Sequence, residues 1–563
     1  MPIDSPLPPP HTLAMISQAD LLSALRGFWG YDTFLHLQEK IVRSLLDGHD
    51  TCAIMPTGGG KSLCYQLPAA LLPDRTVVVI SPLIALMQDQ VAQLDQMGIP
   101  ASFLNSSLKG PQQTELIKRA CKGAFRLLYL SPERLARADT VGWLRKVPIA
   151  LFAVDEAHCI SQWGHEFRPD YLQLSRLRTQ FPGKPIAAFT ASATQHVRHD
   201  IIAQLQLRDP DKYIASFHRR NLRHTVAQCT GETQHDLLVK ALRAHSGESV
   251  IVYSPTIRRV GEIVSFLEQN GIPALPYHGK MEPRARRTNQ ERWTSDEVRV
   301  LVGTIAFGLG INKAGVRAVI HLSLPKSIEH YYQEAGRAGR DGQPADCVLL
   351  WQKRDEGLLA HFIGQITDAE EIERAWQRYN AIKRFVESKV CRHRQICGYF
   401  GENLKATSCH ACDVCGATPD WFPKPAPAKP PAREVAAAKK ALASPSSRQR
   451  PHPQMPAASQ PERDLREFLR EWRQTVAREQ RVPAYFVMHD SSLDDLCRLR
   501  PRSVSELLQV HGFGERKIKT YGQQIVEALN RFRAGARVVE KPKVKPSPPR
   551  RWFAAAAAGS RGT

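Results

Sequence analysis

Two short stretches, roughly ninety residues apart, carry the groups that phosphoryl chemistry needs. The first, AIMPTGGGKS at 53–62, follows an apolar run and precedes the helical pattern LCYQLPAALL. In that context the backbone N–H groups of Thr57, Gly58, Gly59 and Gly60, together with a helix N-terminus, can bind phosphates. Lys61 would reach the β and γ phosphates and Ser62 would ligate magnesium. Met55 stands where the strict G-x-x-x-x-G-K-[ST] pattern has its first Gly, so the pattern is met only in part. The second stretch, DEAHCISQWGHEFRPDY at 155–171, opens on two carboxylates. Asp155, at the end of the apolar run IALFAV, suits a magnesium ligand, and Glu156 suits the base that orients and deprotonates an attacking water. A Gly-rich turn or a solvated Asp-Glu pair is ordinary alone; together they point to cleavage of a metal-bound nucleoside triphosphate. Within a few residues the same stretch reaches Trp163, Phe167 and Arg168, side-chain types that hold a base and a phosphate.

The elements that must position these groups follow from hydrophobic rhythm. Short apolar runs (TVVVIS, RLLYLS, IALFAVDEAH, IAAFTASAT, then SVIVYS, VRVLVGT, RAVIHLSL, DCVLLW) recur between helical patterns from about 50 to 350. This is the βαβ rhythm of buried parallel sheets. The runs divide into a set ending near 194 and one beginning near 249, so two α/β lobes are expected, 17–209 and 210–350, with ligands at strand C-terminal ends. A helical element is expected over 351–416. The segment 416–460 carries ten prolines and no sustained period, which predicts an extended linker over 417–460. Amphipathic spacing returns at 461–536 (LREFLREWRQTV, SLDDLCRL, VSELLQV, KIKTYGQQIVEALNRF), a small all-helical module. The ends, 1–16 and 537–563, read as disordered.

Lys and Arg total 77 against 55 Asp and Glu, a surplus of 22 that favours a polyanionic partner, nucleic acid foremost. No stretch approaches ~18 consecutive apolar residues, and the first residues have neither a basic nor an apolar leader region, so a cytoplasmic protein without a membrane partner is expected. Five of the twelve cysteines fall between 391 and 415. Cys391 with Cys409, Cys412 and Cys415 at C-x₂-C-x₂-C spacing supplies four thiolates, enough for a closed, structural tetrahedral zinc site. Disulfides are the weaker reading in a reducing cell.

Taken in order, GGGKS, SPLIALMQDQV, DEAHCISQWGHEFRPDY, FTASAT, IAFGLGINK and QEAGRAGRDG resemble the motifs of a superfamily 2 helicase of the RecQ family over residues 20–415. The resemblance implies two RecA-like lobes closing on ATP and magnesium and moving 3′ to 5′ along single-stranded DNA, in recombination and repair. It implies that Gln38 reads adenine, with Tyr31 and Phe34 completing the pocket, although Leu35 and His36 replace the usual Arg and Pro. Arg337 and Arg340 match arginines that face the γ-phosphate, Arg340 as the finger, a task suited to a permanently charged planar fork. Gly308 and Gly310 would permit close approach to nucleotide or DNA, and Ser192 and Thr194 would link hydrolysis to lobe movement. Residues 158–170 become an aromatic-rich loop: Trp163 or Phe167 stacks a base, Arg168 holds phosphate, and contact sets His158 and Glu156 for hydrolysis. Isolated aromatics are more often core, but Gly164, His165 and Glu166 interrupt such a run. Cys397 falls at a packing position of the family's helix, with His393 and His410 as alternative zinc ligands.

The helical module resembles an HRDC domain. Its Gly512 and Gly514 could turn a helix N-terminus toward phosphate with Arg516, Lys517 and Lys519 adding charge, or the same run is a solvated face or a protein contact. Many RecQ proteins place a winged-helix domain before HRDC, and the Pro-rich interval is too small and too irregular in composition to build one. Single-stranded DNA and single-strand/duplex junctions are the expected partners, with single-strand-binding protein and repair factors beyond them and a bacterial nucleoid as the place of work. The alternatives are a DNA-stimulated ATPase that remodels nucleoprotein without processive unwinding, and a non-catalytic DNA-binding scaffold.

Overall fold

The computed structural model describes residues 16–105, 108–304, 313–423, 460–480 and 484–536. The expected disordered termini, nearly all of the Pro-rich linker, Gly308 and Gly310 lie outside these residues. Among the described residues two parallel sheets form the body. The first has the order β3-β4-β2-β5-β6-β1-β7: β1 Thr51–Ile54, β2 Thr76–Ile80, β3 Ala101–Leu104, β4 Leu127–Leu130, β5 Ile149–Val154, β6 Ile186–Thr190 and β7 Asp211–Ile214. The second has the order β10-β11-β9-β12-β13-β8: β8 Leu222–Gln228, β9 Ser249–Tyr253, β10 Ala274–Tyr277, β11 Val300–Gly303, β12 Val316–His321 and β13 Ala345–Trp351. Central strands such as TVVVI are buried at every residue because helices cover both faces, which is why they read as unbroken apolar runs. Each such side chain contributes ~1.5–3 kcal/mol.

The lobe boundary differs from the one expected at 210. β7 pairs in parallel with β1, Asp211 opposite Thr51 through Ile214 opposite Ile54, so the first lobe keeps the chain to about residue 215. An edge strand reading DKYI, exposed on alternate residues, carries no apolar run to announce it.

The four-thiol element is keyed to the second sheet. Arg392 pairs with Asp413 at 2.9 Å, and the His224 N–H of β8 donates to the Ala411 carbonyl at 3.1 Å. The helical module, Gln460–Gln480 with Asp490–Leu499 and Glu515–Arg533 as its longer helices, has its own core around Leu469, Trp472, Leu496 and Ile525. It rests on both lobes. Against the first, Gly512 N–H donates to the Gly30 carbonyl at 3.0 Å and His511 stacks on Tyr31 with centroids 4.8 Å apart. A Cβ on Gly30 would lie 2.5 Å from Phe513 backbone atoms, so this approach requires glycine. Against the second lobe, buried Asp296 gathers Lys313 at 2.7 Å, Arg299 at 3.2 Å, and Arg473 at 3.3 Å from the module. Those cations hold the Asp296 carboxyl far below its ordinary range against a burial that would raise it.

Asp296→Asn keeps the size and tolerates the left-handed backbone at that position (φ 63°) but takes the counter-charge from buried Lys313 and partly buried Arg299 and leaves buried Arg473 with Asp490 alone. Removing one partner of such a cluster costs ~3–5 kcal/mol. Hydrogen exchange at the Gly512 amide should accelerate as the module loosens; unchanged protection there would show that docking does not depend on the cluster.

Candidate functional site

β1 ends by extending the ladder one residue: Met55 N–H donates to the Thr190 carbonyl at 3.0 Å, and the side chain is buried. Met55 thus belongs to the sheet, where a glycine is not required. The chain then turns through Gly58 (φ 85°) and Gly60 (φ 74°), left-handed positions that a side chain would strain, and enters helix Lys61–Leu71. Lys61 Nζ donates to the Met55 carbonyl at 3.2 Å. Gln38 opens helix Gln38–Leu46 and is buried; its Oε1 accepts from Leu35 N–H at 2.8 Å and its Nε2 donates to the Gly60 carbonyl at 3.2 Å. The turn that presents Gln38 therefore survives the Leu35 and His36 replacements. Tyr31 and Phe34 pack partly buried at the rim of the same core, Tyr31 under the His511 ring.

β5 delivers the carboxylates from the next strand but one. Asp155 N–H donates to the Ile80 carbonyl, and Tyr171 Oη donates to the Asp155 carbonyl at 2.9 Å. Glu156 sits at φ 47°, a left-handed conformation costing ~1–2 kcal/mol for a residue with a Cβ, held in part by its N–H on Asp155 Oδ1 at 3.0 Å. Burial first, then the charge of Glu156, pushes the Asp155 carboxyl up. Glu156 goes the other way: burial would raise it, but His158, by hydrogen bond and charge, and Lys61 hold it low. Adjacent carboxyls pushed apart in this manner suit one group that receives a cation and one that stays ionised as a base. Hard oxygens on Ser62 and Asp155 are the donor types magnesium prefers.

The second lobe supplies the opposite wall. Helix Ile328–Ala335 runs into Gly336 beside Thr57, and a Cβ on Gly58 would touch the Arg340 side chain at 3.3 Å. Arg219, which the sequence reading did not single out, bridges the lobes: it donates to the Thr57 carbonyl at 2.7 Å and to the Gly339 carbonyl at 2.9 Å. Burial, then the charges of Arg337 and Arg219, pushes the Arg340 guanidinium down to about 9. Lys61 is likewise pushed down by burial, with Glu156 and Asp155 opposing.

From Glu156 the contacts run outward. His158 Nδ1 lies 3.3 Å from Glu156 Oε2 and 2.9 Å from Thr190 Oγ1. Its ring stacks on His165 at 4.5 Å, and His165 meets the edge of His330 of the second lobe at 5.0 Å. Ser192 accepts from Gln333 Nε2 at 2.9 Å, another bond across the lobes, while Thr194 caps helix Gln195–Gln204. Trp163 is 45% exposed, so it is no core residue. Phe167 is partly buried, and Arg168 reaches the Pro82 carbonyl at 3.4 Å.

The sulfurs of Cys391, Cys409, Cys412 and Cys415 lie within 4.8 Å of one another, a cluster that fits one tetrahedral ion. Cys397 is buried in the core, and His393 donates its ring toward the Leu222 carbonyl, so neither joins the cluster. His410 remains exposed beside it, at φ 51°. The Gly512–Gly514 turn is not aimed at phosphate: it is spent on Gly27, Phe28 and Gly30 of the first lobe, because glycine there allows backbone to meet backbone. Arg516 lies against Gly98 and Lys517 over the Phe513 ring, whereas Lys519 is exposed.

Family models described as DEAD/DEAH box helicase, helicase conserved C-terminal domain, RecQ zinc-binding and HRDC domain match residues 36–200, 233–342, 353–416 and 462–529. The ATP-dependent DNA helicase RecQ of Bacillus subtilis is 38% identical over 398 residues, covering 70% of this chain and 67% of that protein. The chain belongs to the RecQ family. The Haemophilus influenzae protein of the same name is 41% identical over 413 residues, and the match spans 65% of its length. With the Pasteurella multocida protein the match spans 63%, so the chain covers just under two thirds of these two RecQ relatives. Among solved structures, Mss116p bound to ssRNA and AMP-PNP has a TM-score of 0.50 at 16% identity, covering 66% of this chain and 86% of that one, a likeness of fold. The RecQ zinc-binding match encloses all four clustered thiols.

Gly60→Ala places a Cβ on the Gln38 amide at a positive φ. The expected cost is ~1–2 kcal/mol of first-lobe stability from backbone strain, read as a lower thermal midpoint by calorimetry. An unshifted midpoint would mean that the loop relaxes into another conformation.

Proposed function

We propose that this chain is a RecQ-type ATP-dependent DNA helicase that couples ATP hydrolysis to 3′-to-5′ movement along single-stranded DNA and to duplex unwinding in recombination and repair. One observation carries the reading: Arg340 of the second lobe lies in van der Waals reach of the phosphate-binding turn of the first, with Arg219 tying the same two segments together. Buried Arg337 and partly buried Lys61, Arg219 and Arg340 line two walls whose like charges repel, and a triphosphate is the ligand that makes their approach favourable.

Gln38 and the rings of Tyr31 and Phe34 hold the base, and the backbone of Thr57 to Gly60 with Lys61 holds the phosphates. Magnesium, carried by Ser62 and Asp155, would neutralise phosphate charge as the terminal bond breaks. Glu156 takes the proton of the attacking water, and Arg340 with Arg337 meets charge developing on the transferred group. His158, Thr190, Ser192 and Gln333 connect the base to the second lobe, so hydrolysis is sensed as a change in lobe contact. A strand base on Trp163, with Phe167 and Arg168 beside it, moves the loop that ends at His158. The four cysteines hold structural zinc. No described helix is long and apolar enough to cross a membrane, and the protein works at the nucleoid with single-stranded DNA and its junctions. A translocase that remodels nucleoprotein without processive unwinding is the second reading, favoured by the Pro-rich interval before the HRDC module.

Glu156→Gln should bind a fluorescent ATP analogue as before and lose ~10²–10⁴ in turnover; full turnover would remove Glu156 as base. Trp163→Ala should retain DNA-free hydrolysis and lose stimulation by oligonucleotide. Strand displacement on forked, 3′-tailed and 5′-tailed duplexes separates the two readings, since brisk DNA-dependent hydrolysis without a displaced strand supports the second. Cys412→Ser should bring bound zinc from one equivalent to none by atomic absorption and unfold the 353–416 element; unaltered zinc content would place the ion elsewhere.

A further inference from the structure

The chain passes from the first lobe to the second over residues 215–221, between β7 and β8. That crossover carries groups that set the cleft. Arg219 donates to the Thr57 carbonyl at 2.7 Å, and Arg219 and Asn221 both donate to the Gly339 carbonyl, at 2.9 and 2.8 Å, one residue before Arg340. What grips the crossover itself comes from the zinc-binding element. Helix Arg392–Tyr399 starts on Cys391, one of the four clustered thiols, and runs into Phe400, Gly401 and Glu402. One Glu402 carboxylate oxygen accepts from Ser216 Oγ at 2.6 Å and the other from Phe217 N–H at 2.7 Å. The buried Phe400 and Phe217 rings stack with centroids 4.5 Å apart, and Tyr332 of the second lobe closes on them at 5.1 and 5.8 Å. Toward the first lobe, the Phe400 carbonyl accepts from Arg198 at 2.6 Å, and Arg198 also donates to the Ala193 carbonyl, between Ser192 and Thr194, at 3.0 Å. A Cβ on Gly401, at φ 81°, would lie 2.9 Å from the Gln195 side chain of that lobe. Toward the second, Tyr399 Oη donates to buried Glu329 at 2.5 Å, at the start of the helix that holds His330 and Gln333 and leads to Arg337 and Arg340.

We propose that Tyr399, Phe400, Gly401 and Glu402 form a brace that fixes the crossover between the lobes, and that Glu402 is a positioning residue for ATP hydrolysis, acting through Arg219 rather than on the nucleotide. These consecutive residues reach the first lobe, the second lobe and the segment joining them. The lobes therefore cannot change spacing without changing a contact of the brace. Glu402 suits the grip because a carboxylate accepts two donors at once, and charge-assisted hydrogen bonds are roughly twice as strong as neutral ones. Its side chain also stays partly exposed, which keeps the desolvation of its charge small. The lever is short: Phe217 and Arg219 are separated by about 7 Å of extended chain. A shift of ~1 Å in the crossover is delivered to the Arg219 guanidinium and to the Gly339 turn before Arg340, and a displacement of that size can lower a rate by ~10²-fold.

This inference rests on the reading of the chain as an ATP hydrolase, and the test separates the two. Steady-state ATP turnover of the full chain with saturating oligo-dT is measured for the parent, Glu402→Ala, Glu402→Asp, Glu402→Gln, Arg219→Ala and the pair Glu402→Ala with Arg219→Ala. Gln spans the same distance and can accept from Phe217 N–H while donating to Ser216 Oγ, whereas Asp keeps the charge and falls one methylene short. Glu402→Ala and Glu402→Asp should lose ~10- to 100-fold in kcat, with the KM for ATP and the thermal midpoint close to those of the parent. Glu402→Gln should recover most of the loss. The pair should be no slower than Arg219→Ala alone, because a residue that acts through Arg219 then has nothing left to position, whereas a merely destabilising change would multiply the losses. If Glu402→Ala does not fold, Glu402→Asp takes its place in the pair. Full kcat in Glu402→Asp, a Glu402→Gln as slow as the other two, or multiplied losses in the pair overturns the brace and leaves the hydrolase reading standing. A parent without ATP turnover overturns both.

Discussion

Burial of like charge on the two walls of one cleft is the constraint on which the rest of the molecule depends. Lys61 comes from the first lobe; Arg219, Arg337 and Arg340 come from the second. Burial opposes each of Lys61, Arg219 and Arg340 in its charged form. Such an arrangement is costly unless an anion joins it, and under the proposed function a triphosphate is that anion, which links lobe closure to nucleotide binding. The parallel sheets serve this end. Their strand tips place the glycine turn after β1, the carboxylates after β5 and the Thr190–Ser192 segment after β6 within reach of one another, which is where open α/β sheets put ligands.

Coupling then needs only short contacts. Glu156 touches His158, His158 touches Thr190 and His165, and His165 meets His330 on the opposite lobe. Gln333 closes a parallel route to Ser192. Side chains this closely packed cannot shift singly, so a change of lobe spacing is felt at Glu156 and a displaced 158–170 segment is felt in the second lobe. The strained backbone at Glu156 fits such a site, because the surrounding contacts must hold a conformation that the residue alone disfavours.

Not all of this architecture was legible from residue order. The buried strands β2, β4, β5, β6, β9, β11, β12 and β13 announce themselves as apolar runs. β3, β7 and β10 are short edge or near-edge strands, and β7 carries Asp211 and Lys212 in four residues, so its place in the first sheet, and with it the lobe boundary, was misjudged. Arg219 was missed for a related reason: one arginine in the polar run SFHRRNLRH has no spacing that distinguishes it from a solvated charge. Met55 shows the converse case. Its departure from the strict glycine pattern loses importance once the backbone there is seen to continue a strand.

Residue order by itself determined the chemistry and the class of fold: the glycine turn before Lys61, the Asp155–Glu156 pair, the spacing of Cys409, Cys412 and Cys415, and the period of the buried runs. Each of these is set by neighbours in the chain, where covalent geometry leaves little freedom. Tertiary structure alone decided which distant groups meet: Arg219 and Arg340 on the Thr57–Gly60 turn, Arg374 over Trp163, Gly512 against Gly30, Arg473 on Asp296. Those meetings depend on how whole lobes pack, a sum of many small contacts and one buried ionic cluster that no local pattern encodes.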